Sequence, residues 1–155
     1  MEKKELILRN FDEIRRRSIT LWKGLPQAYY NWKPDGDAMS AIQMIRHVLQ
    51  ADYGWNIIVT RGDMSNYKTP WEGRLYQSVN DEIAFAEPYR QTFLESVNRF
   101  SEQELSEIEI IHPGNGSKKI LGDYLLRIGY HESVHAGQFL CYLRKMKVDR
   151  PFIWD

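Results

Sequence analysis

Two histidines one helical turn apart, His131 and His135, stand in the run GYHESVHAGQFLCYLR, and a third, His47, lies far upstream in SAIQMIRHVLQADYGW. Residues i and i+4 of a helix are stacked neighbours, ~40° apart around the axis and ~6 Å apart along it. Two imidazoles so placed can grip one metal ion, and a third from a facing helix completes a three-nitrogen set. Zinc held by three protein ligands keeps a position open for water or substrate, the arrangement of catalytic rather than structural sites. Three imidazoles suit zinc, nickel, copper or ferrous iron almost equally. The bland alternative is a set of core histidines, each hydrogen-bonded locally. It weakens with each histidine added, because side-by-side unpaired imidazoles are costly to bury.

The run HESVH also matches HExxH, in which the intervening glutamate is the general base of zinc proteases. Glu132 lies ~60° around the helix from His135 and could flank a metal on angles alone. Yet Cys141 stands where the extended metzincin pattern has its third histidine, and no glutamate follows Glu132. A protease is therefore disfavoured, and Glu132 reads better as a salt-bridging residue or one that orients a ligand. Gln138 and Tyr142, one and two turns beyond His135, are candidate hydrogen-bond donors near the metal. With Glu132 they complete the candidate catalytic set, although core packing explains both equally well.

The elements that must position these residues are helical. Residues 3–23 carry Leu6, Ile7, Ile14 and Leu21 at helical spacing, and Gly24 with Pro26 closes the segment. Residues 31–39, NWKPDGDAM, form a loop. Ser40 or Asp37 then caps a second helix that runs to about Thr60. Residues 61–77 are irregular. A third helix covers roughly 78–100, and Pro88 within it marks either a kink or the real start. Residues 101–120 break the pattern: Ile108, Ile110 and Ile111 are β-branched and PGNGSKK reads as a turn, so a short extended arm or hairpin is expected. A fourth helix runs from near Leu121 to about Lys147. Four such helices in one domain over 1–155 define an all-α fold, a four-helix bundle with a short extended arm before the last helix.

Projecting these helices places the histidines inside. At 100° per residue Tyr124, Ile128, His131, His135, Gln138 and Tyr142 fall within ~80° of one another, and His47 shares a stripe with Met44, Ala51 and Ile58. Ala136 and Gly137 lie on another side, where small residues allow a close helix approach. Cys141, ~240° beyond His135, is expected as a buried packing thiol away from the site. Asp52, ~140° from His47, is expected at the surface, and His112 before Pro113 is read as solvated.

Composition excludes several classes. Twenty-one basic residues balance twenty-one acidic ones, which leaves no electrostatic footprint for nucleic acid or an anionic membrane. The start MEKKELILRN lacks the apolar core of a signal peptide, no run reaches transmembrane length, and one cysteine permits no intrachain disulfide. A cytoplasmic protein is expected.

Taken in order, the WKPDG-type loop before SAIQMIRH, the helix-four run HESVHAGQ and the spacing between them resemble the DinB-like (DinB/YfiT) superfamily across essentially the whole chain. That resemblance implies a bundle with non-sequential helix order and a metal, usually nickel or zinc, held by His47, His131 and His135. It also implies a homodimer, for which the aromatics between residues 53 and 76 offer a surface. Characterised members include bacillithiol- or mycothiol-dependent S-transferases. The leading expectation is accordingly a metal-dependent enzyme that joins a low-molecular-weight thiol to a small electrophilic substrate. The alternatives are a metal-dependent hydrolase that activates water, with Glu132 as its base, and a non-catalytic stress or binding protein stabilised by its metal.

Overall fold

The computed structural model describes residues 1–155. Four long helices form the bundle: α1 (Lys3–Lys23), α2 (Ala41–Arg61), α3 (Val79–Arg99) and α5 (Leu121–Met146). Their boundaries follow local chemistry. Ser40, not Asp37, caps α2 through a box in which its hydroxyl accepts from Gln43 N–H and the Gln43 side chain accepts from Ser40 N–H. Gly62 ends that helix at φ 69°, in the left-handed region that favours glycine. Ser78 caps α3, so Pro88 lies well inside that helix and does not start it. Its side chain faces solvent.

Between α3 and α5 the chain makes a one-and-a-half-turn helix, α4 (Glu102–Glu107), where the sequence pattern predicts only extended chain and a turn. A reciprocal Ser101–Glu104 capping box nucleates it. The expected hairpin follows: β1 (Glu109–Ile111) pairs antiparallel with β2 (Lys118–Ile120), with Ile110 opposite Lys119.

α1 packs on α5 and α3, and α2 packs on α3 and α5, so α1 and α2 lie across the bundle diagonal. One end of the core joins Leu21, Trp22, Met44, Leu49, Phe139 and Leu143; the other joins Phe11, Ile58, Phe93, Val97, Tyr124 and Leu125. Membership of these two clusters fixes the directions. α1 and α5 run one way, α2 and α3 the other, and residues 62–78 cross the length of the bundle between the parallel pair. The helix order is thus non-sequential.

The crossover is not free chain. Arg46 of α2 donates to both oxygens of Glu82 on α3, to the carbonyls of Arg74 and Leu75, and stacks 3.6 Å over the Tyr76 ring. Trp71 is buried and packs on Phe85 and Tyr89, and Tyr53 packs on Tyr67 and Tyr89. The aromatics between 53 and 76 thus pack largely on one another and on α3, while Tyr67 and Tyr76 stay partly exposed.

Two small-residue expectations also change. Gly137 has open space where a Cβ would stand, whereas a Cβ at Gly129 would meet Asn10 and Ile14 of α1 at 3.1 Å. Gly129 is the close-approach residue of α5. Cys141 is exposed, not buried, because its ~240° offset points it out of the bundle. No helix is long and apolar enough to cross a membrane.

Candidate metal centre

The bundle core is interrupted at mid-height by two polar groupings, one on each side of α5. On the α2 side, His47, His131 and His135 converge, with one ligating atom from each within 4.8 Å of the others. His47 Nε2 and His131 Nε2 are 3.3 Å apart. Two nitrogens each ~2.05 Å from a tetrahedral ion stand ~3.3 Å from one another, so the spacing fits a shared divalent ion. The third imidazole is oriented from behind: His135 Nδ1 and Gln138 Oε1 are 2.7 Å apart. An amide oxygen can only accept, which fixes the proton on Nδ1 and leaves the Nε2 lone pair for a metal.

The protonation state agrees. Burial, then the neighbouring His135 and His47, pushes His131 down to about 4, and burial with His135 also lowers His47. At neutral pH both are uncharged lone-pair donors, the form in which imidazole ligates. Trp55 lies edge-on to His131 at 5.6 Å and walls the site on the α2 side.

His47 also forms part of the wall of a surface cleft of about 490 Å³ between α2, the loop before it and the crossover. Gln43, Gln50, Thr69, Trp71 and Tyr76 contribute further lining. Tyr142 does not point its hydroxyl at the histidines. It donates to the Met39 carbonyl at 2.9 Å and meets Trp32 edge-on, which ties the cleft's rim loop to α5.

On the other side of α5, Glu132 gives both carboxylate oxygens to Arg15, at 2.8 Å from Nε and 3.0 Å from Nη2. Arg15 Nη1 reaches Asp52 at 3.0 Å, and Arg90 Nη1 reaches the other Asp52 oxygen at 3.1 Å. One charged residue from each long helix thus forms an alternating row, Glu132, Arg15, Asp52, Arg90, at 2–7% exposure. Burial alone would raise the Glu132 pKa, but Arg15 and Arg90 outweigh it and hold the carboxyl below its usual range. The four charges cancel. Asp52 was expected at the surface; its offset from His47 instead turns it to the bundle axis, because α2 has neighbours on two sides.

His112 is half-buried, not solvated, with Arg127 Nη2 3.2 Å from its Nε2. The structure brings the three histidines expected from the sequence together and sets Gln138 beside His135. Arg15, Asp52 and Arg90 were missed as partners of Glu132.

A parallel-pair four-helix bundle with three inward histidines on its second and last helices defines the class. The profile of the DinB superfamily matches residues 10–139, and this chain belongs to that family. It is 24% identical over 143 residues to the uncharacterised protein YjoA of Bacillus subtilis (strain 168), covering 90% of each chain. The crystal structure of that DinB-like protein superposes with a TM-score of 0.71 at 23% identity over 96% of both chains. A DinB-like protein from Bacillus cereus ATCC 10987 superposes with a TM-score of 0.75 at 11% identity over 97% of both.

Proposed function

We propose that this protein is a metal-dependent enzyme that joins a low-molecular-weight thiol, of the bacillithiol or mycothiol type, to a small electrophilic substrate. The observation that carries the reading is the three-histidine cluster: three imidazoles with ligating nitrogens within 4.8 Å of one another, and His47 in the wall of a cleft of about 490 Å³. A nickel or zinc ion held there supplies Lewis acidity, which lowers the pKa of a thiol or water at the remaining coordination position.

The chain's own residues hold and orient. Gln138 fixes the His135 tautomer. Tyr142 secures the Met39 loop at the cleft rim. Glu132 anchors the helix turn that carries His131, through Arg15.

That last contact favours the thiol reading over hydrolysis. A hydrolase of this design needs a protein base for water, and Glu132, the one candidate, is committed on both oxygens to an arginine. Thiol transfer needs no such base, and the sole cysteine faces away from the cluster.

The test is elemental analysis of tag-free protein beside His131→Ala, followed by a thiol-consumption assay with an electrophile. About one equivalent of nickel or zinc is expected, absent from the variant while helicity persists, with turnover that requires both metal and thiol. Turnover of a hydrolysable ester without thiol would move the assignment to the hydrolase. Bound metal with no turnover of either kind would move it to a metal-stabilised binding protein.

A further inference from the structure

Arg15, Arg17, Arg46, Arg74 and Arg90 are wholly or partly drawn out of solvent, and each pairs with a carboxylate. Arg127, half-buried on the α2 side of α5, does not. Asp123, one turn before it, is exposed and forms no ion pair with it. The Arg127 guanidinium lies over the rings of Trp55 and Tyr124, 5.4 and 5.5 Å from their centroids. Its Nη1 is buried without a partner, and so is the Tyr124 hydroxyl. A cation taken from water without a counter-charge is costly, so this one is short of an acceptor.

Its one polar neighbour deepens the shortage. Arg127 Nη2 stands 3.2 Å from His112 Nε2, while the Gly114 N–H donates to His112 Nδ1 at 3.0 Å. Burial, then Arg127, lowers the His112 pKa, so the ring is uncharged at neutral pH. A neutral imidazole has one acceptor nitrogen and one N–H. Because Nδ1 accepts from the backbone, the proton sits on Nε2 and faces an arginine that can only donate. The hairpin turn is built for this contact. A Cβ at Gly114 would meet His112 Cε1 at 3.0 Å and Nδ1 at 3.3 Å, so a side chain there would push the ring away. Arg127 Nη1 and Nη2 and His112 Nε2 thus offer N–H groups that no acceptor of the protein receives.

We propose that Arg127, His112 and Tyr124 form an oxyanion subsite, which takes the carboxylate or phosphate group of the small molecule bound at the histidine cluster. An oxyanion set between guanidinium and imidazole receives the Nη2 and Nε2 protons, balances the Arg127 charge and gives the Tyr124 hydroxyl a partner. The subsite adjoins the cluster. Arg127 precedes His131 by one turn, ~6 Å along α5, and the indole beneath Arg127 also meets His131 edge-on. Entry is by the hairpin turn, residues 113–119, which is exposed throughout. The shared ligand rests on the catalytic reading of the cluster; the anion site does not.

Inorganic phosphate titrated into the full-length, metal-free chain and followed by NMR tests the subsite without metal or turnover. Saturable shifts are expected at the Gly114 amide and the Arg127 side chain. Affinity should fall roughly tenfold or more in Arg127→Gln, since a charge-assisted hydrogen bond is lost. His112→Phe keeps a ring on the hairpin, leaves the bundle untouched and should weaken phosphate likewise. No saturable shift, or affinity unchanged in both variants, overturns the subsite. Calorimetry of the zinc-loaded chain then separates a free anion from a group carried on the ligand. Mercaptopropionate should bind roughly tenfold more tightly than mercaptoethanol, and Arg127→Gln should abolish the difference. Equal binding of the two thiols overturns the shared ligand in favour of free phosphate. Binding of neither thiol is a failure of the thiol reading of the cluster, and the phosphate titration still decides the subsite.

Discussion

Glu132 follows His131 directly in sequence, yet the two side chains serve different faces of α5: the imidazole joins His47, and the carboxylate turns to the bundle axis and takes Arg15 on both oxygens. The i+1 step of ~100° accomplishes this. The glutamate of HExxH is in this protein part of the frame.

Glu132→Gln should therefore act on stability. Removing one partner of a buried pair typically costs about 3–5 kcal/mol, because the other charge is left uncompensated. Urea unfolding of the metal-free protein should show an unfolding free energy lowered by that order, read as a lower midpoint at unchanged slope. Metal content should persist. A catalytic base would instead give loss of turnover at unchanged stability.

Gln138→Ala removes the acceptor that fixes the His135 ring. Loss of such an outer partner typically lowers metal affinity about 10–100-fold. Chelator competition should detect this, with the circular dichroism spectrum unaltered because Gln138 is exposed.

The His131 shift sets a pH dependence of the metal-free protein. In the unfolded chain this residue titrates near ~6.5, and in the folded protein only at about 4. Between those values the unfolded state binds the extra proton, so stability falls as pH drops through that window and changes little above it. Thermal melts from pH 8 to 4 should show the loss, and His131→Gln should flatten it. Proton competition should lower metal uptake over the same range.

Glu82 is fully buried and holds Arg46, which in turn holds the crossover carbonyls. Glu82→Ala should free residues 62–78 before it unfolds the bundle. Hydrogen exchange should show protection falling first in that segment and at Trp71, and any cleft ligand should bind more weakly.

The histidines were legible because their signal is local: two on one helix turn, each on an apolar stripe. The long helices were legible for the same reason, and the β-branched run with its turn gave the hairpin. α4 was not, because six residues offer too little periodicity, although Ser101 and Glu104 spell its capping box. The charge row left a trace that went unused. Arg15 continues the buried stripe Ile7, Phe11, Ser18, Trp22, and Arg90 stands between buried Ala86 and Phe93, both at positions where a bundle helix places apolar side chains. A cation in such a slot announces a buried anion. Which anion it meets depends on helix order, and that is decided by the crossover, whose Arg46–Glu82 anchor joins residues 36 apart.

The row Glu132, Arg15, Asp52, Arg90 also acts as a vernier. Apolar ridges tolerate a neighbouring helix sliding by one turn, since one leucine can replace another in a groove. Charges do not. A slip of ~5.4 Å by any one long helix would strand an ion against hydrocarbon. Each helix contributes one graduation to the scale, so all four are locked at a single height. The imidazoles of α2 and α5 share that height, and the 3.3 Å between His47 and His131 is thereby set from across the bundle.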